Sequence, residues 1–158
     1  MKTNGFTLVE LMITMAVMGV LITLSALYFN TMSRKSQLER QTKEMYADLM
    51  GSRTQALYQK QARTVTVSAG QYTITPWDPS GGTATVLQRK LLFPVTVNPA
   101  GVITFEARGG MVDSTVCICA EPSGSPSAVD SILVFPTSIA IGKRNTGGAC
   151  TSAQIAVQ

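Results

Sequence analysis

Residues 6 to 29, FTLVELMITMAVMGVLITLSALYF, form a run of 24 positions in which one side chain, Glu10, carries charge. As helix this run rises about 36 Å, enough to cross a bilayer with some tilt. A removable secretion signal fits it poorly. Only MKTNG precedes the run, with Lys2 as its positive region, and the small-residue cleavage pattern that should follow is weak. The run also exceeds the roughly 7 to 15 residues of a signal core.

Glu10 is the harder constraint. An ionised carboxylate one turn inside hydrocarbon costs roughly 2.5–3.5 kcal/mol even on lenient insertion scales. It needs a cation, and no Lys, Arg or His lies within the run. If the chain were cut after Gly5, the new α-amino group on Phe6 would lie one helical turn from Glu10. A neighbouring copy's ammonium could then meet the carboxylate as helices pack side by side. On this reading the charge serves assembly.

Gly5, then Phe6-Thr7-Leu8-Val9-Glu10, then an apolar helix, resembles the cleavage and methylation signature of type IV pilins and the pseudopilins of type II secretion. The likeness covers roughly the first 30 residues. It implies that Gly5 precedes the cut made by a prepilin peptidase, that Phe6 is the N-methylated mature start, and that Glu10 partners an adjacent subunit's N-terminus. It also implies a single pass through the inner membrane with the rest of the chain in the periplasm, assembled with other pilin or pseudopilin subunits. Leu27 departs from the proline many major pilins carry there, which removes one cause of a kink. Charge bias dissents, since Arg34 and Lys35 lie on the outer side and Lys2 on the inner.

The remaining charge divides the chain again. Residues 30 to 63 hold seven basic and three acidic side chains, and residues 64 to 158 hold five of each. Four parts are therefore expected: a leader at 1–5, a membrane and assembly helix at 6–29, an amphipathic stalk helix at 30–62 and a β-rich head at 63–158. The chain has no histidine, which excludes Ser-His, Cys-His and His-metal chemistry. The acids of the head, Asp78, Glu106, Asp113, Glu121 and Asp130, are scattered without visible pairing. No enzyme, cofactor or metal is expected.

The stalk has Gly51 as its only interior glycine, no proline, and abundant Gln, Lys, Arg, Glu, Leu, Met and Ala, a helix-forming composition. Leu38, Met45, Leu49 and Ala56 fall on one face, with Leu57 beside them, and offer a stripe to a head domain. Lys35–Glu39, Glu39–Lys43 and Arg40–Glu44 have the spacing of surface ion pairs, so a solvated face accounts for nearly all the stalk charges. With the membrane run, this predicts one helix from about 6 to 61, roughly 84 Å long.

From Arg63 the texture changes to β-branched runs broken by Gly, Pro, Asn and Ser. TVTVSAG, QYTIT, TVLQRKLLF, VTVN, VITFEA, TVCICA and SILVF predict seven or eight short strands. They would form an antiparallel sheet over the helix stripe, with room for a second sheet behind it, giving an α+β fold. Cys117 and Cys119 point to one face of a strand, near the limit for bridging each other. A bond from either to Cys150 would tie down the C-terminal segment and stabilise by about 3 kcal/mol. Metal binding by the three thiols would need a carboxylate or water as fourth ligand.

A long helix before an all-strand head resembles the minor subunits of the GspH and FimT (also FimU) group. VTVNPAGVITFEARGG at 95–110 is similar to that group's strand, turn and strand around Pro99-Ala100-Gly101, and SILVFPTSIAIGKR at 131–144 to its closing hairpin. Two functions follow from the resemblance: a structural subunit of a pseudopilus or pilus, or a pilus-associated subunit that binds DNA during uptake. The second would use a Gly-Arg-x-Arg motif, for which this chain offers Gly142-Lys143-Arg144-Asn145. Lys143 and Arg144 are expected on a loop. With no broad basic stripe on the head, binding would be weak and steeply salt-dependent.

Overall fold

A computed structural model describes residues 6–76, 86–99, 101–111, 114–124 and 127–158, with residues 25–27 and 76 described by backbone alone. The chain forms two compact units, one ending at Lys35 and one running Ser36–Gln158. The architecture is α+β: a long N-terminal helix leads into antiparallel strands, and the helix residues of the second unit pack against those strands.

Helix α1 spans Leu8–Gln59. It runs without a break through position 27 and through Gly51, where no other atom comes within reach of the absent side chain. It ends at Lys60, whose φ of 53° is left-handed, and Gln61 N donates to Ala56 O at 3.2 Å. That six-residue closure is the one glycine usually serves.

In the first unit the apolar side chains from Phe6 to Met32 are exposed along the described part of the helix. Its polar hydroxyls turn inward. Thr14 Oγ1 donates to Leu11 O at 2.9 Å and Thr23 Oγ1 to Gly19 O at 2.8 Å, which satisfies both groups without water.

In the second unit the stripe is buried: Leu38, Met45, Leu49 and Ala56 are at most 2% exposed. Thr42 and Ser52 lie buried on the same face. Polarity there is tolerated because Thr42 Oγ1 donates to Leu38 O and Ser52 Oγ to Asp48 O, one turn back.

The described residues contain nine strands: β1 Arg63–Ser68, β2 Gln71–Pro76, β3 Leu87–Lys90, β4 Val95–Asn98, β5 Val102–Phe105, β6 Val116–Ala120, β7 Ser131–Val134, β8 Ile139–Arg144 and β9 Ile155–Val157. One sheet has the order β3-β2-β1-β5 and the other β4-β6-β7-β8-β9, every pairing antiparallel. The segment TVLQRKLLF is shorter as strand than its apolar content suggests, because pairing ends at Lys90. The last strand is not expected from the sequence because three residues, Ile155-Ala156-Val157, carry too little pattern.

The two sheets share one core. Val65 faces Ile74 and Ile103 in register, and with Val67, Tyr72 and Phe105 they meet Val116, Ile118, Ile132 and Val134 of the other sheet around Met45 and Leu49. The expected second layer is therefore a second sheet on the same core rather than one behind the first. VTVN and VITF do not form a hairpin; the turn between them carries the chain from one sheet to the other. Val67 N donates to Gly101 O at 2.5 Å, and a Cβ on Gly101 would collide with Val67 O, so the crossing lies flush on β1.

Strands β6 and β7 are buried along their whole length, which explains the unbroken apolar runs VCICA and SILV. One face meets the helix-side core. The other holds Cys117, Cys119 and Leu133 under Cys150 and Ile155 of the C-terminal segment.

Candidate functional site

The candidate assembly segment is the start of α1. Thr7 precedes the helix, and its Oγ1 accepts a hydrogen bond from Glu10 N at 3.3 Å. Thr7-Leu8-Val9-Glu10 is thus a threonine cap with an acid three residues on, a spacing that starts a helix. The carboxylate falls in the first turn, where unsatisfied N–H groups and the helix dipole favour negative charge. This second role for Glu10 was readable from the four-residue spacing alone. Among the described residues Glu10 makes no ion pair. Phe6 is exposed, while Gly5 and the rest of the leader lie outside the described residues. Among the described helices α1 is the one long and apolar enough to span a membrane.

The stalk charges depart from a solvated face. Arg40 and Glu44 do form an exposed pair at 2.8 Å. Three others instead bind the strand region. Glu39 Oε1 accepts from Ala128 N at 2.6 Å, Asp48 Oδ2 accepts from Tyr72 OH at 2.5 Å and pairs with Arg89 Nε at 3.2 Å, and Arg53 donates to Gly109 O and Thr137 O. Gln41 joins them: its Oε1 accepts from Leu92 N and Phe93 N, and its Nε2 donates to Phe93 O. The physical reason is common to most of them. Loop backbone groups have no strand partner, and long side chains flanking the buried stripe reach them. Burial first, and then the bond to Asp48, hold the Tyr72 hydroxyl above the ordinary phenol range, so it keeps its proton and donates.

Lys143 and Arg144 are not on a loop. They are the last two residues of β8, and Lys143 is half-buried opposite Ala156. Arg144 is 3% exposed. Its Nη1 donates to Glu121 Oε1 at 3.0 Å, its Nη2 to Ala120 O at 2.8 Å, and its backbone N to Asp130 Oδ1 at 2.8 Å. The Arg144 hydrogen bond holds the Glu121 carboxyl below the usual range. Gly142 has a packing reason as well, because a Cβ there would meet Ala156 O of β9. The Gly-Lys-Arg stretch thus ends the strand that joins β7 to β9 and offers no guanidinium to a ligand.

Cys119 and Cys150 are bonded, with Cα atoms 5.9 Å apart, and Cys117 is a buried thiol. Burial raises the Cys117 thiol above its ordinary value. Among the described residues no group of three or more Cys, Asp and Glu is placed to hold a metal ion.

Residues 1–26 match the prokaryotic N-terminal methylation motif. The fold is similar to the crystal structure of the type IV minor pilin FimU of Pseudomonas aeruginosa, with a TM-score of 0.55 and 18% identity over 69% of this chain and 90% of that one. No curated protein sequence matches this chain. The chain therefore has a distant type IV pilin-like fold headed by an N-terminal methylation motif, consistent with the broader pilin and pseudopilin superfamily.

Proposed function

We propose that this protein is a minor pilin or pseudopilin. A prepilin peptidase cuts it after Gly5, Phe6 is N-methylated, and the helix is inserted with other subunits into a type II secretion pseudopilus or a type IV pilus. Before assembly it sits in the inner membrane by one pass, with the second unit in the periplasm. The observation that carries this reading is the contrast along α1: the described side chains from Phe6 to Phe29 are mostly apolar and exposed, yet include one carboxylate without a cationic partner among the described residues. A lipid or protein surround satisfies the apolar surface, and a neighbour's terminal ammonium satisfies Glu10.

The test is the mass of the N-terminal peptide from protein purified out of the native membrane. The expected peptide begins at Phe6 and carries one added methyl. An intact leader, or a cut near residue 25, overturns the scheme. DNA binding would rest on Lys143 without Arg144, since the Arg144 guanidinium is engaged with Glu121 and Ala120. A low-salt gel shift with residues 30–158 is expected to show no retardation that depends on Lys143.

A further inference from the structure

The outer face of the second sheet holds three sulfurs in one cluster. Cys117 and Cys119 alternate along β6 with Val116, Ile118 and Ala120, so both lie on the side away from the helix core, with Leu133, Cys150 and Ile155. The ladder sets Thr96 of β4 opposite Cys119 and Asn98 opposite Cys117. Cys150 touches both levels. Asn98 Nδ2 donates to the Cys150 carbonyl at 2.9 Å, while Cys150 Sγ lies 3.5 Å from the Thr96 carbonyl oxygen. Its backbone is thus fastened at the level of Cys117 and its sulfur leans to the level of Cys119. Two levels on one strand face are about 6.5–7 Å apart, and Cys150 makes contacts at both.

We propose that Cys150 has two disulfide partners in the folded protein, Cys119 and Cys117, and that the bridge exchanges between them. The Cys117 sulfur, as thiolate, attacks Cys150 Sγ. A Cys117–Cys150 bond forms, the Cys119–Cys150 bond breaks, and Cys119 leaves with the electron pair and takes up the proton that Cys117 released. One disulfide and one thiol stand on each side, so no oxidant or reductant is consumed. Burial keeps Cys117 protonated at neutral pH, which makes exchange slow there and faster as pH rises. Either bond ties the segment before β9 to β6. The third cysteine thus lets the C-terminal segment close whichever β6 thiol is oxidised first, and the spare thiol stays shielded.

The experiment uses the full chain with Cys119→Ser, oxidised in a glutathione buffer, alkylated and cut with trypsin. Residues 109–143 and 145–158 are expected as one cross-linked pair, lighter by about 2 Da than the two thiol peptides together, with fragmentation at Ile118 locating the bond on Cys117. Cys150→Ser is expected to abolish the pair. A folded Cys119→Ser protein that keeps both thiols open to alkylation overturns the proposal. Wild-type protein held at about pH 9, quenched in acid and alkylated after unfolding, gives a readout independent of that variant's folding. Label divided between Cys117 and Cys119 supports exchange, and label confined to Cys117 at every time overturns it.

Discussion

The two halves of α1 are one continuous helix built for different surroundings. Before Lys35 its described apolar side chains point in all directions and are exposed; Tyr28, for example, is 78% exposed. After Ser36 its buried apolar residues shrink to a stripe, Leu38, Met45, Leu49 and Ala56, and flanking polar residues fasten loops. A stripe is what a helix needs to meet a sheet, and an all-round apolar surface is what it needs to meet lipid or other helices. The first half contributes nothing to the core of the second unit and is expected to be dispensable for folding it, whereas on the proposed function it is the part that assembly needs.

Deletion gives the largest expected effect. A chain beginning at residue 30 keeps the core stripe and is expected to stay soluble, with a cooperative melt by circular dichroism. A chain beginning at residue 63 loses Met45, Leu49 and Ala56 from the core and is expected not to fold. A soluble, cooperatively melting product of the second deletion would break the comparison. Within the helix, Leu49→Ala is expected to lose about 3 kcal/mol in urea unfolding, because it empties a fully buried site. Leu21→Ala, in the exposed half, is expected to leave the same transition unmoved.

Arg144→Ala is expected to cost about 2 kcal/mol, since it leaves the buried Ala120 carbonyl and the partly exposed Glu121 carboxylate without their donor. Its pH dependence follows from Glu121, whose carboxyl is held below its unfolded value. The stability from that pair is fully present above the unfolded carboxyl range, about pH 4.3, and is lost as pH falls through the lower folded value. The gap between wild type and Arg144→Ala should therefore narrow in acid, as read from unfolding curves across pH. Tyr72→Phe removes one bond to Asp48 and is expected to cost about 1 kcal/mol. Lys60→Gly relieves a left-handed lysine and is expected to gain about 0.5 kcal/mol.

The sequence is most legible where one requirement dominates a stretch. Hydropathy marks the apolar half of α1, and spacing marks the stripe, because burial acts on every fourth or third residue of a helix. The strands of the core were visible through β-branched runs, and the short β9 was not. Long-range polar contacts were the main loss. Gln41, Asp48 and Arg53 look like solvated helix residues, since their partners lie in loops or strands 24 or more positions away. The same holds for Arg144, whose partner Glu121 is 23 residues off and unmarked by any motif. At the start of α1 the lone Glu10 in an apolar run and the threonine cap beside it are both local patterns, the second carried by the Thr-x-x-Glu spacing.

That cap makes the central claim sharply testable, because glutamine serves an N-terminal cap nearly as well as glutamate but carries no charge. The direct measurement is incorporation of full-length Glu10→Gln into sheared fibres or pseudopili, relative to wild type at equal membrane abundance. The variant is expected to be exported and folded yet left in the inner membrane. Incorporation at the wild-type level would contradict it, since a neutral side chain would then be doing all that the carboxylate is said to do.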